Sequence, residues 1–215
     1  MKTRTFFKRP RRVIYAITIL VISVFLTNNA NASDYSDAKV DSVKVPKEVK
    51  NALSTCPGGV AFGIFSVNYE RLLAPNHGLV LRADYEMIPK TYSDAKIESS
   101  GYAFIMNYRY HFSGQMNSLF AGVYSRYRTY LGEGSLDGTD FEFTIPDVTV
   151  GVNLGRKWVW KSGFTMTAAL GYGFSKDWTK VDHTTEGIEK AISSFEKEYK
   201  FLSPFLGEFS IGYSF

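Results

Sequence analysis

Cysteine is nearly absent from this 215-residue chain: Cys56 stands alone. One thiol builds neither a disulfide framework nor a multi-thiolate metal site. The three histidines, His77, His111 and His183, are scattered too widely to suggest a metal motif, and no cofactor signature accompanies them. Gly132-Glu133-Gly134 and Gly171-Tyr172-Gly173 lack the helix start that a phosphate cradle needs, and 134–140 reads as loop. Beyond residue 32 no apolar run approaches the roughly 20 residues of a membrane-spanning helix. Low-complexity tracts are also missing, which argues against disorder. What the chain does have is aromatic: 17 Phe, 14 Tyr and 3 Trp.

The basic excess, a formal +4 and a pI near 9.0, invites a nucleic-acid reading until its location is considered. Lys2, Arg4, Lys8, Arg9, Arg11 and Arg12 precede the stretch 13–26, apolar apart from Thr18 and Ser23; Ala30-Asn31-Ala32 then precedes Ser33. This is the order of a signal peptide: basic, apolar, then a small-residue cleavage site. Cleavage between Ala32 and Ser33 is expected, giving a leader at 1–32. Losing its six basic residues and no acidic one takes 25 against 21 to 19 against 21, a mature net charge of −2. The electrostatic footprint of a nucleic-acid binder disappears with it. Arg11-Arg12 is not followed by the rest of a twin-arginine motif. Leu53-Ser54-Thr55-Cys56 lies too far from the apolar stretch to act as a lipidation box.

The segment 33–47 is polar and aperiodic, and reads as a periplasmic linker. From 48 to 215 the dominant signal is a period of two. In 101–112 one parity carries Tyr102, Phe104, Met106, Tyr108, Tyr110 and Phe112, and the other Gly101, Ala103, Ile105, Asn107, Arg109 and His111. The stretch 164–175 repeats it, with Phe164, Met166, Ala168, Leu170, Tyr172 and Phe174 against Thr, Ala, Gly and Ser. A soluble sandwich would face its small-residue side with long solvated charges. A small-residue face suits a narrow lumen instead, and a large apolar face suits lipid.

Seven strands follow at 59–71, 78–88, 101–112, 118–130, 145–158, 163–175 and 203–215. Their connectors alternate short (72–77, 113–117, 159–162) and long (89–100, 131–144, 176–202). Bacterial barrels have even strand counts, short periplasmic turns and long outer loops. An eighth strand is therefore expected at 48–56, turning at Pro57-Gly58-Gly59. The fold class is all-β: an eight-stranded antiparallel transmembrane β-barrel in the cell outer membrane, contacting outer-membrane lipids as a monomer, with no nucleic-acid partner.

Two stretches carry a family resemblance. Phe209, Ile211, Tyr213 and Phe215 alternate at the C-terminus and resemble the signal read by the barrel assembly machinery of Gram-negative bacteria, which implies that machinery as a partner during biogenesis. Lys50-Asn51, Tyr69-Glu70-Arg71, the turn at Pro75-Asn76-His77 and the strand closing on Tyr85 resemble a family of outer-membrane β-barrel proteins of unknown function, and more loosely the OmpA-like and OmpX-like eight-stranded barrels. The resemblance implies fold and location, and no activity.

The inward parity carries Arg82, Arg109, Arg126, Arg128 and Lys157 with Glu70, Asp84, Glu86 and Glu208, five positive charges against four negative. An eight-stranded barrel has room for little beyond its own side chains, so these groups are expected to pair into a network that closes the lumen. Arg126 and Arg128 lie two apart on one strand, with Asp84 and Glu86 as their counter-charge in number. The expected role is structural, or interaction through the outer loops. Two alternatives stand beside it: a lipid A-modifying enzyme and a soluble periplasmic lipocalin-like binder. The enzyme reading needs a Ser/His/acid arrangement at the outer surface. Only His183, in Asp182-His183-Thr184-Thr185, falls on that side, and the His-x-Ser-Asn pattern is missing, so no catalytic residue is assigned. In 185–202, Ile188, Ala191, Ile192, Phe195 and Tyr199 recur at helical spacing among Glu189, Lys190, Glu196, Lys197 and Glu198. An amphipathic helix at the barrel mouth and an extended hairpin arm are both open for this segment.

Overall fold

The computed structural model describes residues 49–88, 97–136, 139–181, 186–200 and 203–215. The leader at 1–32 with Ala30, Ala32 and Ser33, the linker at 33–47, and His183 lie outside these residues. In chain order the elements are β1 (Asn51–Thr55), the helical turn α1 (Pro57–Val60), β2 (Ile64–Ala74), β3 (His77–Ile88), β4 (Glu98–His111), β5 (Ser118–Leu136), β6 (Thr139–Val159), β7 (Phe164–Asp177), the two-residue β8 (Lys180–Val181), helix α2 (Glu186–Lys200) and β9 (Phe205–Ser214).

Strands β1 to β7 pair antiparallel in succession, β7 pairs with β9, and β9 closes on β1 with Leu53 opposite Tyr213. The result is a ring of eight strands. The short β8 pairs with Phe143 and Thr144 of β6 outside that ring. Closure matters because an open sheet leaves a row of unpaired backbone donors and acceptors at its edges, and a ring has none. The seam continues to the chain end, where Asn51 N donates to Phe215 O at 2.9 Å and Phe215 N donates to Asn51 O at 2.8 Å.

Alternation decides which side chains face in. Phe104, Val152 and Leu154 point outward and are 61%, 62% and 65% exposed, whereas Arg109 and Lys157 point inward and are each 1% exposed. This inverts the usual soluble ordering, in which lysine and arginine are almost never fully buried. Aromatics gather at both rims of the outer face: Tyr108, Tyr110, Phe112, Trp160, Phe164 and Tyr213 near the short turns, and Tyr85, Tyr102, Tyr172, Phe174 and Phe205 toward the other end.

The short turns sit at the end that holds β1's start and β9's finish. In the β2–β3 turn Asn76 takes φ 70°, a left-handed conformation that asparagine tolerates, and its Nδ2 donates to His111 O at 2.6 Å. At the opposite end two expectations need revision. The tight turn at Pro57-Gly58-Gly59 is instead the helical turn α1, with Pro57 at its first position, where the missing N–H costs nothing; β2 then starts at Ile64 rather than 59. The loop at 131–144 is a paired arm, since β5 and β6 stay in register out to Leu136 opposite Thr139. Glycine explains how that arm is filled: a Cβ on Gly132 would fall 2.1 Å from the Phe143 ring opposite, and one on Gly134 2.6 Å from the Phe141 ring. The rings lie over the glycines, the device by which aromatics rescue glycine in a strand pair.

Of the two readings of 185–202, the helix is the one found. Glu186 and Glu189 occupy the first turn of α2, where the helix dipole favours negative charge. Ile188, Ile192 and Phe195 line one face and pack on Phe141, Phe143 and Ile145 of the arm together with Ile97.

Candidate functional site

The inward side chains stack in layers along the barrel. Nearest the short turns Ala52, Leu72 and Met116 form an apolar seal. Met116 comes from the β4–β5 turn, and Ser214 Oγ donates to its sulfur at 3.7 Å.

The next layer is organised by Glu70. Its Oε2 accepts from Lys157 Nζ at 2.5 Å and Arg109 Nη1 at 3.1 Å, and its Oε1 lies 2.9 Å from His111 Nε2. Arg109 also reaches Glu208 Oε2 at 2.5 Å, and its guanidinium stacks 4.2 Å from the Phe120 ring centroid. The carboxylates bring β2 and β9 together with cations from β4 and β6, so the layer ties opposite walls of the ring. A Cβ on Gly155 would fall 2.4 Å from Phe120, so glycine there makes room for the ring inside the lumen.

A smaller pair follows. Arg82 Nε donates to both oxygens of Asp84, at 2.7 and 2.9 Å, while its Nη2 reaches Ser66 Oγ at 3.3 Å. Ala103, Ile105, Tyr124 and Leu206 make an apolar waist in mid-barrel.

The outer layer centres on Asp147. Its Oδ1 lies 3.5 Å from Arg128 Nη2 and 3.7 Å from Arg126 Nη2, and its Oδ2 accepts from Ser203 Oγ at 2.8 Å. Arg128 Nη2 donates to Ser203 Oγ at 2.9 Å and its guanidinium lies 4.8 Å from the Tyr130 ring centroid. Arg126 donates to the carbonyls of Ser203 and Phe205 and to Thr149 Oγ1. Tyr130 OH donates to Glu86 Oε2 at 2.6 Å.

All nine charges read from the inward parity therefore project into the lumen, but partly with other partners than expected. Asp84 pairs with Arg82, and Glu86 receives Tyr130; the carboxylate between Arg126 and Arg128 is Asp147. With it the charges named here number ten, five of each sign. Asp147 shares the inward parity of Lys157 on β6, so the alternation that finds one finds the other. His111 likewise follows Arg109 by two. Ser203 departs from the expected strand at 203–215, in which it shares the outward parity of Phe205; β9 begins only at Phe205, and Ser203, delivered by the α2 connection, is buried inside.

His111 lies against Glu70 behind the apolar seal, and His77 Nδ1 lies 2.5 Å from Tyr108 OH at the short-turn rim. Among the described residues no three His, Cys, Asp or Glu side chains converge to hold a metal ion. The C-terminal residues Phe209, Tyr213 and Phe215 face outward on or beside β9, with Ile211 on the same parity.

Solved structures with a similar course include CarO of Acinetobacter baumannii, 13% identical, with a TM-score of 0.39 over 78% of this chain and 97% of that one. CarO2 of the same organism is 12% identical at the same TM-score and coverage. No curated protein matches the sequence. The sequence profile of a family described as "Protein of unknown function (DUF3575)" matches residues 25–214, nearly the whole chain, and the protein belongs to that family.

Proposed function

We propose that the protein is an outer-membrane β-barrel whose lumen is closed by its own side chains, and that it acts as a structural element or an interaction platform through its outer arm and helix rather than as a catalyst or an open pore. The observation that carries this reading is the inversion of polarity across one closed wall. The outer belt, from Leu53, Val67 and Leu81 round to Val152, Leu154 and Phe209, is exposed and apolar between aromatic rims, while the ten charged groups named above turn inward with largely buried side chains. A belt of this kind is stable in hydrocarbon and would drive aggregation in water.

The remaining parts of the proposal follow the chain. Export uses the leader, cleaved between Ala32 and Ser33. The barrel assembly machinery reads Phe209, Ile211, Tyr213 and Phe215. The mature barrel works as a monomer among outer-membrane lipids, without nucleic acid, metal or cofactor. Membrane fractionation tests location directly: the protein is expected in the outer-membrane fraction, released by detergent and showing heat-modifiable migration. Recovery in the soluble periplasmic fraction without detergent would overturn the membrane reading in favour of a lipocalin-like binder.

A further inference from the structure

We propose that helix α2, with Ser203 after it, forms a displaceable lid over a one-ended vestibule in the outer half of the lumen, hinged on the β5–β6 arm and latched by Arg126, Arg128 and Asp147. Three observations lead there. First, α2 is not part of the hydrogen-bonded ring, and its apolar face is packed on the arm through Phe195, which meets the Phe143 ring edge-on at 5.4 Å between centroids. Removing the helix from the mouth leaves every barrel ladder intact.

Second, α2 faces the lumen's charges directly. A small cavity of about 20 Å³ lies between Phe195 and Glu196 of the helix and Arg128, Tyr130, Asp147 and Ser203 below them. Lifting the helix therefore opens the outer layer to the exterior. The opening stops at the waist of Ile105, Tyr124 and Leu206, beneath which the Glu70 layer and the Met116 seal remain. The space is a vestibule and not a channel.

Third, the latch is made of exchangeable bonds. Arg126 is held to the lid by the main-chain carbonyl of Ser203, whereas Pro204 and Phe205 are already bonded to β7 in the wall. The Ser203 hydroxyl bridges Arg128 and Asp147, whose direct contact is longer, at 3.5 Å. Water can replace a neutral carbonyl or hydroxyl at a guanidinium with little net change, because folding merely trades one set of hydrogen bonds for another. The Glu70 layer is different: there carboxylates meet the cations directly, and no loop takes part.

Hydrogen exchange on the full mature chain folded in detergent micelles tests the lid, and it does so independently of where the protein resides in the cell. In Ser203→Ala and in Asp147→Asn the amides of α2 are expected to exchange at least tenfold faster than in the wild type, with β2, β4 and β9 unchanged. Unchanged α2 protection in both variants, or loss of protection in α2 and the barrel strands together, would overturn the proposal. A thiol probe checks the depth of the opening. In a Cys56→Ser background, Thr149→Cys, beside Arg126 at the latch, should react with a membrane-impermeant maleimide several times faster once Ser203→Ala is added, whereas Thr167→Cys, below the waist, should stay unreacted. Labelling at both depths would overturn the one-ended vestibule, and labelling at neither would overturn the lid.

Discussion

The two charged layers of the lumen use the same kinds of side chain to different ends. Around Glu70 every participant is borne by a barrel strand, the cations meet carboxylates at 2.5 to 3.1 Å, and the seal at the short-turn end covers them. Around Asp147 the carboxylate stands 3.5 and 3.7 Å from its arginines, and the closest contacts run to the hydroxyl and carbonyl of Ser203, which precedes β9. Buried ion pairs are poor evidence of net stabilisation, yet removing one member strands the other without compensation. The first layer is thus a brace across the wall, and the second fastens something that is not wall. The same lumen can be rigid at one end and openable at the other.

That contrast is breakable by substitution. Glu70→Gln leaves Lys157 and Arg109 buried with their shared carboxylate gone, and should lower barrel stability by about 3–5 kcal/mol, read as a fall in the temperature or denaturant midpoint of the heat-modifiable shift. Met116→Ala opens a void in the apolar seal and should cost about 2–4 kcal/mol in the same assay. Asp147→Asn keeps the carbonyl contacts of Arg126 and should cost roughly 1–2 kcal/mol of barrel stability, with its main effect on α2 protection. If Asp147→Asn destabilised the barrel as much as Glu70→Gln, the distinction between brace and latch would fail. At the bottom of the scale, Glu189→Ala in the first turn of α2 touches neither layer and should shift the midpoint by no more than about 0.5 kcal/mol.

How far the sequence reveals these layers depends on what sets each contact. Parity alone locates Arg82, Arg109, Arg126, Arg128, Lys157 and their four carboxylates inside, because a strand cannot turn one residue without turning the rest. Partnership across the barrel is another matter, since it depends on the stagger of the strands; hence Asp84 meets Arg82 rather than Arg126. The arm at 131–144 is hidden by its glycines, which signal a loop when read along the chain and make sense only beside the phenylalanines of the facing strand. The spacing of Ile188, Ile192 and Phe195 does show a helix face, but not that Phe195 would rest above Arg128. Ser203 is invisible for the same reason: its role arises from where the helix delivers it. What strands fix by alternation is readable locally, and what connections deliver is not.

The closed lumen is tested most directly by planar-bilayer recording of the purified, refolded protein, with wild type and Ser203→Ala compared side by side. Two braced or sealed layers below the waist predict no steady conductance in either, whether or not the lid lifts. A steady, large conductance in the wild type would contradict the closed barrel.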